Sequence, residues 1–211
     1  MPPADRASEL RRFWFGTLPL TAARFDERMR FWFGGEEPEE ARHRLDEELR
    51  TRFEPLVIEA AQGRLASWAG SPRRLLALIL LLDQLPRNLY RGTPRAFATD
   101  GDALALALSG IQSGADAALG PAERLFFYMP LQHAESAEAQ EESIAAYRRL
   151  LAEVSEPLRP AFASTLRFAE EHREIIRRFE RFPHRNRILD RPSTPEEQAY
   201  LASVPEDFGQ A

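Results

Sequence analysis

Apolar residues recur along this chain at helical spacing, and no stretch shows the strict alternation of a half-buried strand. Ser8 to Phe15 reads as a short aromatic helix closed by Gly16, and Thr21 to Phe33 as a second, closed by Gly34 and Gly35. A long helix follows from Pro38 to Gly63, with Leu45, Leu49, Phe53, Leu56 and Ala60 on one face; Pro55 is expected to bend it or split it in two. Ser71-Pro72 supplies an N-cap and a proline at the first helical position, so another helix starts there and runs toward Gln84. Its stretch from Leu75 to Leu82 carries no polar side chain, which suits a central helix buried on all sides. Pro86 is expected to end or kink it.

Thr99 or Asp100 opens the next helix. Its Ala103 to Leu108 alternation imitates a strand, yet alanine is a poor strand former, and Leu104, Leu108 and Ile111 make a helical stripe. Gly120-Pro121 begins a helix through Met129 that Pro130 should break, and Glu135 to Val154 is amphipathic through Ile144, Tyr147, Leu151 and Val154. Pro157 and Pro160 mark a boundary before a long helix from Phe162 to Phe182, whose inner face is expected to carry Phe168, His172, Ile175 and Phe179. Thr194-Pro195-Glu196-Glu197 caps a final short helix. The expectation is an all-α array of about nine helices in one domain, residues 1–211. No fixed-period repeat stands out. The nearest internal echo sets Leu85-Pro86-Arg87-Asn88 against Phe182-Pro183-His184-Arg185-Asn186, two segments that would present similar ends to one place.

Composition narrows the chemistry. The net charge of −5 works against general affinity for nucleic acid or an anionic membrane. All 28 basic residues are arginine, so lysine chemistry is excluded, while bidentate recognition of carboxylate or phosphate is available throughout. That bias fits a GC-rich, bacterial genome. With no cysteine there are no disulfides, thiolate metal sites or thiol nucleophiles. The N-terminus lacks the apolar core of a secretory signal, and Leu75 to Leu82 falls short of the about 20 apolar residues that span a bilayer. A cytoplasmic location with no membrane partner is the expectation.

Three segments, LLLDQLPRNLYRGTPRAFATD from Leu80, FFYMPLQHAES from Phe126 and RFPHRNRILDRPSTPEE from Arg181, resemble domain-of-unknown-function family 924, a mostly bacterial family. The likeness runs from about Leu10 to Phe208. It implies a tetratricopeptide-like helical array and brings no established activity. Leu85 stands where the family pattern leads one to expect phenylalanine, and Ala134 where it leads one to expect serine; the second weakens any role for a hydroxyl beside His133.

Candidate functional residues gather where helices end. If helicity persists past Gln84, Asp83 and Arg87 form an i,i+4 pair; Arg87 and Arg91 are then forks for an anion, with Asn88 and Tyr90 orienting it. A polar network that satisfies carbonyls at a buried helix end accounts for the same residues. His184, with Arg185 and Asn186, follows a helix end and is the first choice for a catalytic acid or base; a C-terminal cap is the structural alternative. His133 with Glu135, or with His172, lacks tight metal-ligand spacing, no GxSxG elbow is present, and no cofactor or metal is expected. Between Arg173 and Arg191 the arginines read as a solvated face, with Glu174 reaching Arg177 or Arg178. Phe13 to Phe15 and Phe31 to Phe33 read as packing clusters. The leading expectation is a helical-array binding protein whose Arg/His-lined groove takes a peptide, a protein or a small anion. The alternatives are a small-molecule hydrolase or transferase with His184 or His133 as general base and Asp83 or Glu135 as its partner, and a self-associating structural protein.

Overall fold

The computed structural model describes residues 5–34 and 39–203; Gly35, Pro38 and Phe208, each invoked above, lie outside the described residues. Among these residues there are nine α-helices and no strand: α1 (Arg6–Phe15), α2 (Ala22–Phe33), α3 (Glu39–Ala61), α4 (Pro72–Leu89), α5 (Asp100–Gln112), α6 (Pro121–His133), α7 (Ala137–Glu153), α8 (Arg159–Phe179) and α9 (Pro195–Ser203). Short 3-10 turns join several of them. The starts follow the sequence. Thr21 Oγ1 accepts the Arg24 N–H at 3.4 Å and Ser136 Oγ accepts the Ala139 N–H at 3.3 Å. At α9 the Thr194 hydroxyl accepts the Glu197 N–H at 3.2 Å while Glu197 Oε2 accepts the Thr194 N–H at 2.7 Å, a full capping box.

Three prolines lie inside unbroken helices. Pro55 splits nothing, α4 continues past Pro86 to Leu89, α6 continues past Pro130 to His133, and Pro160 sits in the first turn of α8, whose end comes at Phe179 rather than Phe182. A helical proline frees the carbonyl four residues back. At Pro86 that carbonyl is Leu82, and the Thr99 hydroxyl donates to it at 2.6 Å, so the helix need not stop. Near Pro130, Tyr147 donates its hydroxyl to the Leu125 carbonyl at 3.1 Å, next to the freed Phe126 carbonyl. The end of α4 is also held from outside, by Arg50 Nη2 on the Leu89 carbonyl at 2.8 Å.

Consecutive helices pack on one another from α3 through α8, and α4 also meets α1 and α6. Leu75 to Leu82 is buried throughout, as a central helix requires. The α5 stripe is corrected: Ala103, Ala107 and Gly110 face the core while Leu104, Leu108 and Ile111 are half-buried. Small residues win this face because α5 lies close to α4 and α6; a Cβ on Gly110 would strike the Phe127 ring and come within 2.9 Å of Leu75 Cδ2. On α8, Phe168 is 49% exposed rather than inward, and the buried face carries Phe162, Thr165, Ala169, His172, Ile175 and Ile176. The two N-terminal aromatic clusters interlock: Phe13 meets Phe31, Phe15 meets Trp32, and Trp32 Nε1 donates to the Trp14 carbonyl at 2.8 Å. Ile175, Ile176 and Phe182 form a small second cluster with Phe179 and Tyr200. No helix of the described residues is long and apolar enough to cross a membrane.

Candidate functional site

Because α4 stays helical through Pro86, Asp83 and Arg87 stand one turn apart, with Arg87 Nη1 3.3 Å from Asp83 Oδ1 and 2.7 Å from the Asp83 carbonyl. Asp83 is 0% exposed. Its Oδ1 also lies 2.8 Å from His133 Nδ1, at the last residue of α6, and its Oδ2 accepts Gln84 Nε2 at 2.5 Å. Arg87 then reaches α5, where both its terminal nitrogens donate to the two oxygens of Asp100 at 2.8 Å. Arg185 arrives at the same carboxylate from the 3-10 turn Pro183–Arg185, with Nη1 3.4 Å from Asp100 Oδ2. The two echoing sequence segments therefore do meet in one place, at Asp100.

Glu135 sets the position of that turn. It accepts the Phe182 backbone N–H at 2.8 Å and is clamped by Arg191 at 2.7 and 2.9 Å. Asn186 belongs to the same brace: Nδ2 donates to Ser193 Oγ at 3.1 Å and to Glu197 Oε2 at 3.3 Å, and Oδ1 accepts Arg191 Nε at 3.1 Å. Arg181 holds Glu197 at 2.6 Å, which pulls that carboxyl down to about 2. Along the basic stretch Arg177 pairs with Glu174 at 3.0 Å and Arg178 with Glu196 at 2.8 Å, while Arg173 stands 3.5 Å from Glu141.

Other candidate residues face elsewhere. Asn88 donates to Asp46 at 3.2 Å, Arg91 lies 3.6 Å from the same carboxylate, and Tyr90 donates to Glu54 at 3.0 Å under the Arg95 guanidinium. All three turn toward α3 rather than to the Asp83 cluster. His133, Glu135 and His172 are not brought together as a ligand set: His172 Nδ1 is 2.8 Å from its own helix, at the Phe168 carbonyl. Among the described residues no group of three or more potential ligands could hold a metal ion.

Electrostatics follow from burial. Burial opposes charge on Asp83, but Arg87 and then His133 outweigh it and hold the carboxyl below its ordinary range. Burial, then Arg87, pushes His133 down against the upward pull of Asp83. At neutral pH Asp83 is thus an ionised acceptor and His133 a neutral ring, so Nδ1 must carry the proton that Asp83 receives. Burial also lowers His172 to about 4 and, with help from Arg185, His184 to about 3. Arg185 itself is brought down to about 10, by burial first and by Arg87 second.

Arg185 is the least satisfied charge here. It is 6% exposed, packed at 4.8 Å on the Phe97 ring and 4.5 Å on the Phe182 ring. Its Nε has no hydrogen-bond partner, and the 3.4 Å contact to Asp100 is its only ion pair among the described residues. Asp100 reads in the sequence only as a helix opener and Phe97 carries no local signal; the fold alone brings them against Arg185.

The profile of a family described as bacterial protein of unknown function, DUF924, matches residues 10–204. The chain belongs to that family. The DUF924 match spans all three segments that build the cluster. A solved structure of a protein of unknown function from Agrobacterium tumefaciens is similar to this DUF924 member at 34% identity, with a TM-score of 0.75, covering 94% of this chain and 97% of that one. No curated protein matches.

Proposed function

We propose that this protein binds a small anion, a carboxylate or a phosphate, at Arg185, beside the Asp100 carboxylate that Arg87 also holds and in the same electrostatic neighbourhood as His133, since both Arg185 and His133 act on His172, and that the helical array is the frame that holds these groups in place. The observation that carries the reading is Arg185: a guanidinium buried to 6% exposure, held against two aromatic rings, with Nε making no hydrogen bond among the described residues. Buried charges are ordinarily paired and hydrogen-bonded, because an uncompensated one costs several kcal/mol. Arg87 is satisfied twice over by Asp83 and Asp100, whereas Arg185 retains donors for a ligand. By the usual naming of the guanidinium, Nε–H and Nη2–H share one edge, and Asp100 touches only Nη1, so that edge suits a bidentate anion.

The interior position of the cluster favours a small ligand over a peptide chain. Asn88, Tyr90 and Arg91, on the α3 side, and Asn186, in the α9 brace, take no part in this reading. The test is native mass spectrometry of the purified protein followed by calorimetric titration with acetate, succinate and inorganic phosphate. An anion retained or bound by the wild type, and weakened at least tenfold by Arg185→Gln with the fold intact by circular dichroism, is expected. Binding that Arg185→Gln leaves unchanged would place the ligand elsewhere.

A further inference from the structure

The same cluster contains a base that anion binding alone does not need. His133 Nδ1 sits 2.8 Å from the Oδ1 of a wholly buried carboxylate, so the ring is fixed in orientation and tautomer, and Nε2 is left with the lone pair. No hydrogen bond engages Nε2 among the described residues, and the His133 side chain keeps 15% of its exposure. The carboxylate–imidazole arrangement, a base oriented by a third group, is how proteins build a general base. His172 instead holds Nδ1 at the Phe168 carbonyl of its own helix, and His184 packs on Phe182.

We infer that His133 is a general base for the anion held at Arg185, which makes the site one of proton transfer. This rests on the binding reading above. In the step, an O–H or C–H bond of the bound anion breaks, the proton forms a bond to Nε2, and the electron pair stays on the oxygen or carbon it left. The new negative charge lies in the field of Arg87 and Arg185, and the imidazolium is held by Asp83; return of the proton from Nε2 regenerates the base. No oxidant, metal or second substrate enters the balance.

The charged and titratable groups around His133 are Asp83 and Arg87 from α4, Asp100 from α5 and His172 from α8; Arg185, from the turn after α8, acts on the same His172 and feels Asp83. The balance lowers His133 below its ordinary value, so the ring stays neutral and able to accept a proton across the physiological range.

Acylation by diethyl pyrocarbonate, mapped by peptide mass spectrometry, reads the imidazole lone pair without a known substrate. The exposed His43 serves as the surface reference. His133 should react more slowly than His43 but at least tenfold faster than His172 and His184, and succinate or phosphate should slow His133 and leave His43 unchanged. Imidazole 15N chemical shifts of the wild type, which need no variant to fold, should show His133 protonated on Nδ1 and bare on Nε2, with His133→Gln removing that signal. A His133 that stays unmodified, or that carries its proton on Nε2, overturns the inference. So does an anion that calorimetry finds bound through Arg185 but that gives His133 no protection; in that case the binding reading survives alone. Absence of any bound anion removes both.

Discussion

Asp83 carries more of the cluster than any other side chain, since Arg87, His133 and Gln84 all converge on it. Removing one member of a buried pair strands the rest, at a cost of about 3–5 kcal/mol. Asp83→Asn should therefore lower the melting temperature by roughly 10 °C, at about 2–4 °C per kcal/mol for a chain of this size; a shift under about 2 °C would mean that the network is not closed through Asp83. Of the three buried histidines, His172 and His184 are pushed furthest down and set the larger part of the pH dependence. The folded protein holds His172 at about 4 and His184 at about 3, whereas the unfolded chain takes up both protons as pH falls below 6.5. Their contribution is complete above pH 6.5 and is lost as pH falls toward those folded values. Between pH 7 and pH 5 the pair should cost about 4 kcal/mol, or roughly 10 °C in melting temperature, and His184→Gln should remove about half of that slope. A flat profile over this window would show that neither histidine is buried in its neutral form.

At the scale of elements, prolines were the least legible feature of the sequence. The pattern places nearly every helix, because caps such as Thr21, Ser136 and Thr194 and the closing Gly16 act locally and can be read locally. Pro86 is different: whether α4 stops there depends on Thr99, which lies 13 residues on and across a turn, and which takes the carbonyl that proline abandons. Thr99→Val should destabilise the fold by about 1–2 kcal/mol, and Pro86→Ala in the same chain should recover part of it, since the restored N–H can bond Leu82. Strict additivity in that cycle would deny the coupling. The α5 face is illegible in the sequence for a related reason. Helical spacing marks leucines, yet the interhelical distance selects Ala103, Ala107 and Gly110. Gly110→Ala should cost about 1–3 kcal/mol through its collision with Phe127, measurable by urea unfolding; a neutral result would mean that α5 can move outward freely.

Across the whole molecule, one carboxylate per junction brings three distant segments together: Asp83 joins α4 to the end of α6, Asp100 joins α4 and α5 to the turn after α8, and Glu135 joins that turn to the start of the α6–α7 connection. Their residue types were visible in the sequence, as Asp83, Arg87, His133, His184 and Arg185 all stood out as polar groups at helix ends. Their division into roles was not, because Asn88, Tyr90 and Arg91 follow Arg87 directly yet face α3, and Arg185 and Asn186 are adjacent yet one meets Asp100 and the other Glu197. Helix rotation and a single 3-10 turn separate neighbours that a linear reading groups. The proposed anion site stands on Arg185. A crystal structure of the protein soaked in succinate tests it most directly. A carboxylate within hydrogen-bond distance of Arg185 Nε and Nη2 is expected; an Nε satisfied by a protein oxygen, with no anion bound there, would overturn the site and leave the cluster as an internal brace.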